Sequence, residues 1–150
     1  MRLLVIRVHS DTVEVANSVI GQIDKGLVLY IGIEKVDQVG DLEWGCKKVL
    51  GLRIFDDQEG KMNLPIADEM GILVVSQFTL CGNLKKGYRP SFNHAAPPSI
   101  AMALYEKFLE ILGNSFGGHF QTGEFGAHMN IEIKEDGPVT VWLDSRNKSY

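Results

Sequence analysis

Three stretches carry residues that could do chemistry. The first is Ile72-Leu73-Val74-Val75-Ser76-Gln77-Phe78-Thr79-Leu80. It opens as an apolar, β-branched run, which predicts a buried strand. It then changes to Ser76, Gln77 and Thr79 around a large Phe78. A buried strand that ends in hydroxyls and an amide sets hydrogen-bonding groups on a rigid base, where sites are often built. The same pattern also suits a strand end that satisfies its own last backbone groups, and periodicity leaves both readings open. The second stretch, Lys85-Lys86-Gly87-Tyr88-Arg89-Pro90-Ser91-Phe92, puts three cations beside two aromatics within a long irregular segment. That composition suits phosphate and base contact, and equally a solvated surface loop. The third is Gly137-Pro138 between two strand-like runs. Proline cannot donate to a sheet ladder, so a turn or edge is expected, and the trans bond is the favoured form.

The common catalytic sets are missing from the pattern. His9, His94, His119 and His128 lack the spacing of a metal site and read as surface or packing residues. There is no nucleophile elbow, no phosphate-cradling GxxxxGK[ST] loop and no GxGxxG after a strand. A triad assembled across distance stays open. Cys46 and Cys81 stand in no CxxC or metal-type spacing and read as reduced and structural, consistent with a cytosolic setting.

The elements that must position these groups follow from periodicity. Leu3 to Val8 predicts a first strand, and Thr12 to Val15 with Val19-Ile20 a hairpin turning near Asn17-Ser18. Leu27 to Ile33 is apolar enough for a central strand. Val39 to Leu50 has helical spacing, with Asp37 as N-cap and Gly51 just past its end. Arg53-Ile54-Phe55 predicts a short strand and Asp56 to Gly60 an exposed turn. A second helix spans Ser99 to Leu112, with a stripe of Ile100, Leu104, Phe108, Ile111 and Leu112, and Gly113 ends it. Phe120 to Thr122, Met129 to Ile133 and Val139 to Leu143 predict strands, with a turn at Glu135-Asp136-Gly137-Pro138. The polar tail, 144–150, is expected to fray. Many strands with two main helices indicate an α+β fold, largely antiparallel and barrel-like, in a single domain over 1–150.

The chain has 150 residues, 45% apolar, with a formal net charge of −4. That is an ordinary globular composition with room for a real core. The charge argues against an overall basic nucleic-acid binder but leaves room for a local basic patch. The first residues lack the apolar length of a signal peptide, and no run approaches a membrane span.

Ser76-Gln77-Phe78-Thr79-Leu80 together with Gly137-Pro138-Val139-Thr140 resembles the motif pair of the D-aminoacyl-tRNA deacylases. The resemblance extends to Arg7-Val8, Arg53-Ile54-Phe55 with Gly60-Lys61-Met62-Asn63-Leu64, Gly87 to Phe92, and Phe125-Gly126-Ala127-His128-Met129. The family commonly has Asn-Asp before Gly-Pro, whereas this chain has Glu135-Asp136. The resemblance implies a homodimeric cytoplasmic esterase of translation quality control. It would hydrolyse D-aminoacyl-tRNA, clear glycine mischarged on tRNA, and need no metal or other cofactor, no membrane and no DNA. It implies that Gly137-Pro138 is cis and reaches into the partner's pocket, facing Ser76, Gln77, Phe78 and Thr79. Amides near Phe78 and Thr79 would stabilise the oxyanion, and the terminal 2′-hydroxyl would help activate water. Arg7 would brace the Gly137-Pro138 turn, Phe125 and Met129 would wall the pocket, and Lys85, Lys86 and Arg89 would contact tRNA. Three alternatives compete: a covalent esterase with Thr79 as nucleophile, a non-catalytic RNA-binding module, and an editing enzyme for a small L-amino acid.

Overall fold

In the computed structural model, which describes residues 1–148, one strand serves as the spine. β1 runs unbroken over Arg2–Val15. The alternation expected to stop at Val8 and resume at Thr12 belongs to one strand with an irregularity at His9. β1 pairs antiparallel with β2 (Ser18–Ile23), β3 (Gly26–Gly32) and β8 (Asn130–Asp144). The β1–β2 turn places Ala16 and Asn17 at positive φ, the two central positions of a type I′ hairpin turn.

β3 is central, as its apolar run requires, and its second neighbour is β6 (Gly71–Ser76), parallel. β6 pairs parallel with β7 (His119–Thr122). The sheet is therefore mixed: the hairpin and meander pairings are antiparallel, and two parallel pairings follow from helical crossovers. α1 (Val39–Gly51) lies between β3 and β6 in the chain, and α2 (Pro98–Ser115) lies between β6 and β7. Parallel neighbours need such a crossover. The sheet curls until β2 meets β7; a Cβ at Gly21 would lie 3.0 Å from the Thr122 carbonyl oxygen. β4 (Phe55–Asp56) and β5 (Met62–Leu64) form a small separate hairpin.

The main core fills the space between the sheet and both helices, with Leu3, Val5, Leu29, Val74, Phe108 and Leu112 fully buried. A smaller core on the opposite face holds Val8, Val13, Ile23, Val28, Leu73 and Val75. α2 reaches the core through Tyr105, Phe108 and Leu112, while Ile100, expected in its stripe, is half exposed. The helix runs through Gly113 to Ser115. Gly113 serves close packing rather than termination, since a Cβ there would meet the Phe120 ring at 3.2 Å.

α1 is capped by Gln38, whose N–H donates to Asp41 at 2.9 Å. Asp37, the expected cap, is instead buried, accepting from the Met1 amino group and from the Glu34 N–H. The chain end after β8 is also tied down. Ser145 is buried and its hydroxyl accepts from Met1, and Arg146 bonds the Asp41 carboxylate at 3.0 Å. Within the tail expected to fray, Ser145 and Arg146 are thus hydrogen-bonded to the rest of the domain, and residues 149–150 lie outside the described range.

The largest departure concerns Gly137-Pro138. Residues 130–144 form one long strand, and Gly137-Pro138 lies inside it rather than in a turn between two. Ile6 pairs with Thr140 and Val8 with Glu135, so β8 makes an excursion there while β1 advances two residues. Such irregularities keep both long strands in the sheet and push a short segment out of it.

Candidate active site

β6 ends at Ser76, and the chain turns at once into a 3-10 turn, Phe78–Cys81. The Gln77 N–H still donates to the Ile31 carbonyl at 2.8 Å, so the turn starts from a fixed point on the sheet. Within the turn Leu80 N–H donates to Gln77 and Gly82 N–H to Thr79. Leu80 is the first donor within the turn, so the N–H groups of Phe78 and Thr79 at its start have no acceptor inside it. The sequence pattern is thus a strand running into a short helical turn, not a strand alone.

A cavity of about 600 Å³ opens beside this turn. Ser76, Gln77 and Phe78 form one side, Phe125 and Met129 another, and Phe92, Tyr105 and His128 complete the wall. Phe78 and Phe92 meet edge to face at 5.1 Å, a geometry that holds both rings. Phe125 leans on Tyr105 at 5.6 Å, and the Tyr105 hydroxyl donates to Val74 at 3.0 Å. Burial pushes the Tyr105 hydroxyl pKa upward, so it stays protonated. Thr79 lies beside the wall, and its hydroxyl accepts from the Gln77 side-chain amide. Burial pushes the Cys81 thiol up to about 11, with the Glu34 charge adding to it, so it is a packed thiol and not a thiolate.

The cavity draws together Ser76, Gln77, Phe78, Phe125 and Met129 from the sequence expectations. Phe92, Tyr105 and His128 were missed as site residues. Tyr105 carried a weak signal, a hydroxyl beside an otherwise apolar helix stripe. Lys85, Lys86 and Arg89 are exposed on a loop pinned at its base by Asn83 and Ser91, at 2.8 and 2.9 Å, with Gly87 at φ +70°. This loop leads directly into Phe92, so it projects from the cavity rim.

Gly137 and Pro138 are not part of the cavity of their own chain. Their peptide bond is cis, and Gly137 has φ +151°, a conformation open to glycine alone. Arg7 holds the preceding residue: its guanidinium donates to the Asp136 carbonyl at 3.2 Å, and to the Ile54 carbonyl at 2.7 Å. Arg7 is itself buried, and it also pairs with Asp56 at 3.4 Å. Glu135 accepts from the Thr140 hydroxyl at 2.6 Å, closing the base of the excursion.

A family model described as D-Tyr-tRNA(Tyr) deacylase matches residues 4–144. The chain belongs to the D-Tyr-tRNA(Tyr) deacylase family. Among relatives named D-aminoacyl-tRNA deacylase, that of Thermotoga petrophila is 49% identical, covering 97% of both chains. That of Petrotoga mobilis is 47% identical over 97% of this chain and 98% of its own. A solved structure named c-Myc DNA Unwinding Element Binding Protein has a TM-score of 0.91 at 37% identity, covering 96% of this chain and 98% of that one. A probable eukaryotic D-amino acid tRNA deacylase shares the fold, with a TM-score of 0.80 at 20% identity over 95% of this chain and 97% of its own.

As a member of the deacylase family, the chain is a hydrolase of the D-aminoacyl-tRNA ester. No helix among the described residues is long and apolar enough to cross a membrane.

Proposed function

We propose that the deacylase works as a homodimer in which Gly137-Pro138 of each subunit enters the cavity of the other. The supporting observation is the separation of the two motifs within one chain: the excursion carrying Gly137-Pro138 lies outside the cavity flanked by Phe78. A two-fold pair would bring each excursion to the partner's cavity and create two equivalent sites. Arg7 and Glu135 then act as braces that keep the excursion in one shape.

In this reading the ester carbonyl oxygen lies against the N–H groups of Phe78 and Thr79. Water attacks the carbonyl carbon, and the electron pair of the C=O moves onto oxygen, where the two amides stabilise it. Collapse restores the carbonyl and expels the ribose 3′-oxygen, which takes up a proton. The proton that the attacking water gives up passes through the neighbouring 2′-hydroxyl, which takes it from the water and hands its own to the departing 3′-oxygen, so the substrate contributes to its own cleavage. An aminoacyl ester is already activated, and positioning carries most of the catalysis.

Chirality follows from fixing two points. Backbone carbonyls at Gly137-Pro138 accept from the α-ammonium, and the amides hold the carbonyl, which leaves one direction for the side chain. An L-residue drives its Cβ into the backbone, a D-residue points outward, and glycine passes. Rejection of L-substrates, rather than recognition of side chains, sets specificity. Glycine mischarged on tRNA(Ala) is therefore a second substrate, many D-amino acids are accepted, and a tRNA substrate supports a cytoplasmic location.

Subunit complementation tests the arrangement. Phe78→Pro and Gly137→Ala each damage one half of the site. Co-refolding equal amounts of the two forms mixed dimers with one intact site, so about one quarter of wild-type activity should return for random pairing of a two-fold dimer. No recovery in verified mixed dimers means that Gly137-Pro138 does not act across subunits. A parallel panel of D-, L- and glycyl-tRNA esters tests the chirality argument, and rapid cleavage of L-alanyl-tRNA would overturn it.

The Thr79 hydroxyl receives a hydrogen bond from the Gln77 side-chain amide, and among the described residues no carboxylate or imidazole is hydrogen-bonded to it. Thr79→Ala keeps the backbone amide and is expected to retain activity within about threefold. Loss of several orders of magnitude in kcat, with an acyl-enzyme trapped in the wild type, would favour covalent catalysis instead.

The exposed loop carries Lys85, Lys86 and Arg89 on a chain of net charge −4. Replacing all three with alanine should weaken tRNA binding and reduce its salt slope by about 2–3. An unchanged slope would place the tRNA on another surface.

A further inference from the structure

Arg2 does not line the cavity, yet its guanidinium reaches the turn that carries the site. Its Nη1 donates to the Leu80 carbonyl at 2.7 Å. Leu80 lies in the second half of the 3-10 turn, where carbonyls run out of intra-turn donors. A charged donor at that distance makes one of the stronger protein hydrogen bonds. Arg2 is held in turn by two carboxylates, Glu34 at 3.3 Å and Asp144 at 3.6 Å. Glu34 is buried and bridges to Ala95, which lines the cavity.

The geometry has a simple origin in the sheet register. Arg2 on β1 stands opposite Gly32 on β3. A Cβ at Gly32 would lie 3.0 Å from the Gln77 carbonyl oxygen, 3.0 Å from the Leu80 Cβ and 3.1 Å from the Cys81 sulfur. The missing side chain at Gly32 lets the turn lie directly on the sheet. The long side chain opposite then reaches across to the turn's far end. Gln77 is tied to Ile31 at the start of the turn, and Leu80 to Arg2 near its finish.

We propose that Arg2 is a positioning residue for catalysis: by clamping the Leu80 carbonyl, it fixes the direction in which the Phe78 and Thr79 amides point at the ester. The inference rests on the reading of those amides as the oxyanion site. Amide direction matters more to the transition state, where charge develops on oxygen, than to the bound ester. The clamp therefore acts on kcat and leaves KM alone. Glu34 and Asp144 hold the clamp without themselves lining the cavity.

The test compares Arg2→Met, which keeps the apolar stem and removes the donors, with Arg2→Lys, which keeps one donor. Single-turnover and steady-state cleavage of D-aminoacyl-tRNA are measured together with melting temperature. Arg2→Met should lower kcat about 10- to 100-fold, the size expected for a small misplacement of catalytic groups. KM should stay within about twofold, and Arg2→Lys should recover most of the lost kcat. Unchanged kcat in Arg2→Met, a defect in KM alone, or equal defects in both variants would overturn the proposal. So would a large fall in melting temperature in both variants, which would make Arg2 a fold residue. A Phe78→Pro variant run alongside separates the two ideas. If it matches Phe78→Ala, the amide reading itself is wrong; if it is inactive while Arg2→Met is unaffected, only the Arg2 role fails.

Discussion

Phe78→Pro is expected to lower kcat/KM about 10²- to 10³-fold below Phe78→Ala, the usual cost of losing one oxyanion donor. The substitution removes a single N–H at a place where proline fits. Phe78 is the first residue of the 3-10 turn, a position that needs no backbone donor for the turn itself. The preceding Gln77 has φ −143° and ψ 80°, outside the helical region that proline disfavours for its neighbour. The phenylalanine ring is 59% exposed and stacks edge-on against Phe92, so its loss alone weakens the cavity rim. Phe78→Ala measures that part, and the difference between the two variants isolates the amide. A melting temperature shared by both variants confirms that the turn still forms. Equal activity in the two would show that the Phe78 amide takes no part in the reaction.

Much of the fold was legible because apolar periodicity is a local signal. The central position of β3 follows from seven residues with almost no polar interruption, and α1 from its Leu42, Cys46 and Val49 spacing. What sequence reasoning lost was continuity across irregularities. His9 in β1 and Gly137-Pro138 in β8 both read as breaks, since each interrupts an alternation. In the structure the two interruptions face each other across one long pairing, so neither ends its strand. Pairing partners are set by tertiary context, which a window of ten residues does not contain. The same holds for Asp37: its spacing fits an N-cap, but the Met1 amino group claims it from 36 residues away. The site divides likewise. Ser76, Gln77 and Phe78 announced themselves by a change in polarity, and Phe125 and Met129 came with the family resemblance. Tyr105 and Phe92 reach the cavity only because α2 and the loop before it fold over the end of β6. Arg2 gave no signal at all, as its role depends on the glycine opposite.

Replacing Asp11 with alanine is expected to stabilise the protein at pH 8 and to flatten its stability between pH 4 and 8. Asp11 lies on β1 between Ile23 of β2 and Ile133 of β8, 1% exposed. Among the described residues, neither carboxylate oxygen has a hydrogen-bond partner. Burial pushes its pKa from 3.8 up to about 6; the Thr12 N–H draws it part of the way back without reaching hydrogen-bond geometry. The facing Tyr30 hydroxyl is pushed up to about 12 by burial and by the Asp11 charge, and it stays protonated throughout this range. For an acid whose folded pKa is raised, the native state holds the proton more tightly than the unfolded chain. Stability is therefore highest below the unfolded value and falls as pH rises from 3.8 through about 6. A shift of this size corresponds to about 3 kcal/mol once the group is ionised. For a chain of this length that amounts to roughly 6–12 °C in melting temperature. Asp41 and Asp57 have lowered pKa values and act in the opposite direction, so the informative quantity is variant minus wild type at each pH. Denaturant unfolding at fixed protein concentration should give a difference near zero at pH 4 that grows through pH 6 and levels off. A variant that is no more stable at pH 8 would show that, in the assembled protein, the Asp11 carboxylate has found a partner that a single chain does not provide.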